Sequence, residues 1–512
     1  MNYKVFKLEN IERRYKITAI STFVFGLFAH GYMFLNKFSF LDDVVSLTTV
    51  GATYSSGRWF LGILESIVRT FFYGTYSVPW FIGLVSLCII AGIGILLVDI
   101  FDIKNDISCL IIGGLLITFP AMTGLYSFMF TSGYYTVSML LSVLAVWLVI
   151  RTKYRIIGVM FAVLCIACSM GIYQSIVGFA ILAFLFLYIV EVFEISGMKF
   201  KDYVLKAVLY VGTLVGGLAS YLIINKVFLT VMSVELNSYC GISSMYSKEV
   251  VSLNFELLFG TFFNQYDSIL YFKVFVEKTG LVYWVVLIIS LLLIIYNGMR
   301  LAKEKKFVAI LVMTLAALCI PVALNPFALV NTDMVTSLVQ LPKVMILIFP
   351  VILMEHTEFR KEVIQKAVWC ATSILLIYVN IYYAYYANRC YLAAEIHQAQ
   401  TISWMTTLVT QIKNVEGFDE NMEIAYIGEV EDKTFISDKS YFETLEERFY
   451  NVDVRKQYVW KSYMQRWCGF HMKEVDQNTY EKLENLSEVQ NMKNYPNDGS
   501  IQIVDDIVVV KF

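Results

Sequence analysis

The chain has 512 residues, 58% hydrophobic and 16% charged, with 40 Lys and Arg against 42 Asp and Glu for a formal net charge of −2. So high an apolar share with so little charge excludes an ordinary soluble domain. No nucleic-acid motif appears, and the net acidity of residues 388–512 disfavours an anionic polymer as a tight partner.

Apolar segments able to cross a hydrocarbon core of about 30 Å fall at residues 17–35, 78–98, 107–120, 134–150, 156–170, 174–194, 207–230, 281–297, 307–325, 343–355 and 367–387. These predict an all-α polytopic membrane bundle of about eleven transmembrane helices, residues 1–387. Segments 107–120 and 343–355 are short for a span. Lys and Arg alternate along this series. Lys4 to Lys16, Arg151 to Arg155, Lys199 to Lys206, Arg300 to Lys306 and Arg360 to Lys366 mark one side, whereas 121–133, 169–174 and 326–342 carry no basic residue. Basic short loops face the cytoplasm, so the N-terminus is expected there, in a cell (plasma) membrane. A cleaved signal peptide is the competing reading of the start. The long apolar stretch and the absence of a small-residue cleavage pattern argue against it.

The first outer loop, 36–77, carries the adjacent carboxylates Asp42 and Asp43, then Gly57-Arg58-Trp59. Charges this close to hydrocarbon persist when paired, hydrated or used. The doublet is therefore a candidate reacting or ion-binding site, against the plainer reading of a hydrated pair that ends the first helix. Leu61, Leu64, Ile67, Val68 and Phe71 recur at helical spacing while Arg58, Glu65 and Arg69 fall on another face, which predicts an interfacial amphipathic helix. The loop 231–280, with Tyr239, Tyr246, Glu256, Phe262, Phe263, Tyr266 and Asp267, is expected to be similar. Gly171-Ile172-Tyr173-Gln174 forms a tight outer turn whose Tyr and Gln are candidates for sugar hydroxyls. Tyr126, Ser127, Tyr134 and Tyr135 are weaker ones, in an outer loop before the fourth span.

Residues 388–512 hold 21 Asp and Glu against 13 Lys and Arg and read as a small extracytoplasmic α/β domain. A polar helix through Gln411 precedes strand-like runs at Glu423–Gly428 and Ile501–Phe512, where β-branched residues dominate. The nine cysteines and four histidines show no zinc or haem spacing; Cys165 and Cys168 lack a second ligand pair. Of Cys240, Cys390 and Cys468, the cysteines expected outside the spans, none is assigned to a disulfide.

A protein that moves a sugar from a lipid phosphate to a hydroxyl needs a carboxylate to take the acceptor proton and a cation to stabilise the leaving phosphate. Asp42 and Asp43 supply the first. Arg58 is the first choice for the second, because its planar fork matches phosphate oxygens and Gly57 permits close approach. Lys343 is the second choice, with a snorkelling interfacial lysine as the alternative. Adjacent side chains do not point alike, so one aspartate is expected to face the acceptor while the other orients it, caps a helix or helps hold a divalent cation such as Mg or Mn.

The order Leu41-Asp42-Asp43, Gly57-Arg58-Trp59 and Gly171-Ile172-Tyr173-Gln174 resembles the membrane glucosyltransferases that decorate bacterial O-antigen, of the serotype-converting type, over residues 17–390. Such proteins look like members of the GT-C class. The resemblance implies a polyprenyl-phosphate-linked sugar donor, a cell-envelope glycan acceptor, glucose as the hexose, and Asp42 and Asp43 as catalytic carboxylates. Arg58 is then a donor-phosphate residue together with Lys343, and Tyr173, Gln174, Trp59 and Glu65 are substrate contacts. The rival is a lipid-linked glycan flippase or polymerase. A flippase calls for mid-span charges or broken helices and a polymerase for arginine-rich outer loops, and both features look scarce here.

Overall fold

The computed structural model describes residues 11–39, 42–195, 199–237, 280–324, 337–430 and 457–512. In chain order its helices are α1 (Arg13–Leu35), α2 (Asp42–Val45), α3 (Trp59–Phe72), α4 (Pro79–Ile100), α5 (Asp106–Thr118), α6 (Pro120–Tyr126), α7 (Met129–Arg151), α8 (Arg155–Ile172), α9 (Gly178–Glu194) and α10 (Phe200–Met232). They continue as α11 (Gly280–Lys303), α12 (Phe307–Leu318), α13 (Ile320–Leu324), α14 (Val344–His356) and α15 (Glu362–Lys413). Among the described residues ten helices are long and apolar enough to span a membrane, or eleven when α5 and α6 count as one bent span. Phe28, Ile156 and Val363 are among many large apolar side chains left exposed on these helices, a surface tolerable in lipid and costly in water. The protein is a multi-pass membrane protein.

The chain divides into two compact units, Met1–Lys37 with Thr48–Asn388, and Phe38–Leu47 with Arg389–Phe512. Within the first, α9 and α14 form the centre. The apolar window of the span holding α14 is 89% buried and that of the span holding α9 is 78% buried, and Phe186 stacks on Phe349 with centroids 4.0 Å apart. Small residues let neighbours close in: a Cβ at Gly113 would lie 2.5 Å from the Thr18 carbonyl, so α1 and α5 meet backbone to backbone.

The basic loops converge on one end of this unit. Arg14 pairs with Asp102, and Arg151 with Asp99, at 3.0 Å each. Lys206 reaches Glu191 at 2.8 Å, and the Arg300 guanidinium donates to the Phe193 carbonyl at 2.9 Å. Around these pairs lies a cavity of about 520 Å³ lined by Arg14, Asp99, Asp102, Arg151, Glu191 and His356 among others.

Three interruptions mark the opposite helix ends. Phe119 adopts ψ 133° because the following residue is Pro120, which disfavours helical backbone before it and suits the first turn after it. Helices α5 and α6 therefore meet at 43°. The 121–133 stretch, expected as an outer loop, is instead mostly helical, with Tyr126 ending α6 and Tyr134 and Tyr135 inside α7. A second break falls at Tyr173, followed by a 3-10 turn Gln174–Val177. The third is the 3-10 helix Ser337–Lys343 leading into α14. Broken helices are thus present where the composition suggested few; runs of apolar residues conceal a one-residue kink.

The second unit is α/β. Strands β1 (Glu423–Ile427), β2 (Lys473–Glu474), β3 (Ile501–Val504) and β4 (Ile507–Lys511) form one sheet in the order β2-β1-β4-β3. β1 runs parallel to β2 and β4, and β3 pairs antiparallel with β4. Alternation sorts the side chains. Ile424, Tyr426, Val508 and Val510 join Met405, Leu408, Trp460 and Tyr463 on one face. Ala425, Ile427 and Val509 join Leu483, Val489 and Met492 on the other. Burial on both faces explains the unbroken Val508-Val509-Val510 run. The expected single run Ile501–Phe512 is a hairpin: Asp505 and Asp506 both take positive φ, 52° and 58°, the two-residue turn that matches strand twist. Likewise the span at 367–387 and the polar helix after it are one 52-residue helix, α15. The remaining helices here are α16 (Gln457–Trp467), α17 (Gln477–Asn485) and α18 (Ser487–Asn491). Cys390 and Cys468 are free thiols. Cys240 and the named aromatic and acidic residues of the 231–280 loop lie outside the described residues.

Candidate active site

In the first unit the site grows from Gly57. A short 3-10 turn, Tyr54–Ser56, is closed by Gly57 at φ 68°, a left-handed conformation that glycine alone adopts without cost. The reversal brings Arg58 to the head of α3 and points the Gly57 carbonyl at Tyr221, whose hydroxyl donates to it at 3.1 Å. The Gln174 amide donates to the Ser56 carbonyl at 2.8 Å and to the Tyr221 hydroxyl at 3.1 Å. A Cβ on residue 57 would stand 2.7 Å from that hydroxyl and 3.0 Å from that amide. Asn237 adds a bond from its amide to the Ser56 hydroxyl at 3.0 Å.

Arg58 is half-buried. Its Nη1 donates to the Tyr135 hydroxyl at 3.4 Å, and its guanidinium lies 5.0 Å from the Tyr173 ring centroid. The two tyrosine rings are 4.7 Å apart. With the Tyr173 ring on one side and the Tyr135 hydroxyl accepting on another, part of the cation's water shell is replaced by protein. Arg58, Tyr173 and Gln174 are therefore brought into one cluster. Trp59 is buried in the scaffold beneath, stacked on Phe228 at 5.5 Å. Phe228 stacks in turn on Tyr54 at 5.7 Å. Glu65 stands about 10 Å further along α3 by helical rise and pairs with Arg69 at 2.7 Å.

Lys343 ends the 3-10 helix Ser337–Lys343 and is 7% exposed. That helix packs on α6 and on the Gln174–Val177 turn, so all three interruptions adjoin. Non-helical backbone at membrane depth is tolerated where protein buries it or a wet cavity receives it. Buried polar atoms collect there. The Gln340 amide, and the Thr123 and Ser175 hydroxyls, have no hydrogen-bond partner, each such group costing on the order of 1–3 kcal/mol when left so.

The carboxylate doublet belongs to the second unit, with its whole segment Phe38–Leu47. Helix α2 is one turn long, from Asp42 to Val45, too short to stand unaided. Val44 is fully buried among Met405, Leu408, Trp460 and Tyr463. Arg466 donates to the carbonyls of Val44 and, at 2.8 Å, Val45, capping the turn's open end where a cation also suits the backbone dipole. Ser39 engages all its polar groups. Its N–H donates to Gln398 Oε1 at 3.0 Å, its hydroxyl donates to Asp43 Oδ2 at 2.8 Å, and its carbonyl accepts from the Tyr463 hydroxyl. Burial first, and the Asp43 charge second, push the Tyr463 phenol well above its ordinary range, so it remains a donor. The doublet is split as adjacent side chains must be: Asp43 is buried and Asp42 exposed.

Sequence reasoning passed over Tyr221, Gln340, Ser39, Tyr463 and Arg466, and Asn225, whose side-chain nitrogen lies 3.7 Å from where a Cβ on residue 57 would stand. Tyr221 and Asn225 carried a legible signal, two polar residues one turn apart in an apolar helix. Gln340, Tyr463 and Arg466 carried none, since their value comes from neighbours distant in sequence. Among the described residues no three His, Cys, Asp or Glu gather as metal ligands. The cavity at the basic end is lined by charges already paired with one another and is remote from this cluster.

The Glucosyl transferase GtrII family matches residues 31–354. No curated protein and no solved structure matches the chain. The match begins within α1, takes in the doublet, Arg58, Tyr173, Gln174 and Lys343, and stops before α15 and most of the second unit. With well over half of its length matched, this multi-pass membrane protein belongs to the GtrII glucosyl transferase family, the serotype-converting O-antigen glucosyltransferases, and is a glycosyltransferase of glycan modification.

Proposed function

We propose that the protein transfers a hexose, glucose by its family, from a polyprenyl-phosphate donor to a hydroxyl of a cell-envelope glycan on the extracytoplasmic face. The observation that carries this reading is the division of labour in the polar residues: an exposed aspartate beside a buried one, and a half-buried arginine that meets the Tyr135 hydroxyl and the Tyr173 ring. Asp42 acts as general base and takes the acceptor proton as the oxygen bonds to the anomeric carbon. Asp43, held by Ser39, keeps its neighbour in place. As the glycosyl–oxygen bond breaks, its electron pair stays on the departing polyprenyl phosphate. The charge growing there meets Arg58 and Lys343, cations whose attraction is strongest where water is scarce.

Tyr173 and Gln174 then line the sugar, with Trp59 and Glu65 on α3 as supports. A Mg or Mn ion at Asp42 and Asp43 would need phosphate and water oxygens to complete its shell; the proton transfer itself requires none. The loop-charge rule gives the basic end of the bundle to the cytoplasm and so supports an extracytoplasmic position for the helix ends that carry Tyr173 and Lys343.

The test is transfer by purified protein in lipid nanodiscs, offered polyprenyl-phosphate glucose and a family-type glycan acceptor. Asp42→Asn is expected to lose transfer by at least a hundredfold at unchanged abundance, and Asp43→Asn to fall in the same direction. Full activity in both single variants overturns the carboxylate mechanism. A wild-type protein that uses a nucleotide sugar and ignores the lipid donor overturns the donor.

A further inference from the structure

The Gln340 amide is wholly buried, and neither its nitrogen nor its oxygen has a hydrogen-bond partner. A primary amide can donate two hydrogen bonds and accept two, so its burial leaves an unusual amount of hydrogen-bonding capacity unused. It lies on the 3-10 helix Ser337–Lys343. Residues three apart on such a helix eclipse one another, which puts Gln340 and Lys343 on one face. The helix packs on α6, where the fully buried Thr123 hydroxyl has no partner, and on the Gln174–Val177 turn, where the Ser175 hydroxyl, 6% exposed, has none. Three unsatisfied polar side chains thus come from the three places where the helices break. Buried polar groups in native proteins are almost always bonded, and three exceptions on adjoining segments leave hydrogen-bonding capacity that a polar ligand can use.

The chemistry of that ligand follows from the set. It carries several groups that each donate and accept, as the hydroxyls of a pyranose ring do, and a neighbouring anion within reach of a lysine. We propose that Gln340, with Thr123 and Ser175, forms the pocket that reads the hydroxyls of the donor's hexose, Lys343 on the same face attending the phosphate. The proposal rests on the lipid-phosphate donor argued above and deepens it to the residues that choose the sugar. Gln340 pairs bidentately with adjacent ring hydroxyls; an epimer that turns one of them away leaves the amide unpaired again, and discrimination by such a site is strong.

The experiment uses the full chain in nanodiscs with polyprenyl-phosphate glucose and its galactose and mannose epimers. Gln340→Leu keeps the volume and removes the amide. It is expected to lower kcat/KM for the glucosyl donor at least tenfold, to flatten the preference among epimers, and to unfold at the same temperature as wild type or higher, because an unpaired buried amide gives way to an apolar group. A bond-making structural glutamine predicts the opposite sign in unfolding. Thr123→Val provides a second, smaller perturbation with the same expected pattern. An unchanged epimer preference in both variants, or a lowered unfolding temperature with kcat/KM intact, overturns the proposal. Should wild type itself refuse every lipid-phosphate hexose, the donor reading falls instead, and titration of the free hexoses against wild type and Gln340→Leu by tryptophan fluorescence still decides the pocket: equal or absent responses sink it.

Discussion

Tyr463→Phe removes a single oxygen atom, and its effect can be worked from the contacts around Ser39. The ring is packed in the core of the second unit with Val44, Trp460 and Met464, so phenylalanine preserves the apolar contact. What disappears is the donor to the Ser39 carbonyl. Ser39 is fully buried, and a buried carbonyl deprived of its partner costs about 1–2 kcal/mol. At one decade per 1.36 kcal/mol, the docked arrangement of residues 38–47 loses roughly 5- to 30-fold in its equilibrium against an undocked one. Helix α2 is a single turn of four residues, held also by the Arg466 cap, the Gln398 bond and the burial of Val44. Turnover at saturating donor is expected to fall several-fold with the donor KM unchanged, while amide exchange in residues 42–47, followed by mass spectrometry, accelerates by a similar factor. Tyr480→Phe, on the opposite face of the sheet, serves as the control and should change neither. Faster exchange at residues 42–47 with undiminished turnover would refute the idea that the second unit positions the aspartates for catalysis.

Other outcomes follow from single contacts. Gly57→Ala places a Cβ 2.7 Å from the Tyr221 hydroxyl in a residue at φ 68°; strain of about 1–2 kcal/mol plus the displaced Gln174 bond should cut transfer at least tenfold, and an activity within twofold of wild type would contradict the assigned geometry. Arg58→Lys keeps the charge and loses the planar fork framed by Tyr135 and Tyr173, so donor KM should rise roughly tenfold with kcat less affected; equal kinetics would return Arg58 to a structural role. In the hairpin, replacing Asp505-Asp506 by Asn-Gly suits two positive-φ positions and should stabilise the second unit by about 1 kcal/mol, read as a later unfolding transition in urea at unaltered activity.

The membrane class and the helix succession were legible in the residues themselves, because each span must bury or expose some twenty apolar side chains to lipid and that demand is local. So was the end of the bundle at which Arg14, Arg151, Lys206 and Arg300 would meet, since loop charge follows each span in turn. The motif residues Arg58, Tyr173 and Gln174 could be named, but their partners could not. Tyr135 was placed in a loop that is helical, and Tyr221 reaches Gly57 across 164 positions of chain.

Tertiary structure alone decided three matters. The helix breaks at Phe119, Tyr173 and Ser337–Lys343 adjoin one another, although each is ambiguous by itself in an apolar run. Asp42 and Asp43, adjacent in the chain, differ in exposure because Ser39 and Tyr463 hold only one of them inside. The doublet is seated by a unit whose remaining residues begin at Arg389, more than three hundred positions later. Hydropathy and charge act over a few neighbouring residues, whereas a hydrogen bond such as Tyr463 to Ser39 spans 424 and leaves no periodic mark on the sequence that makes it.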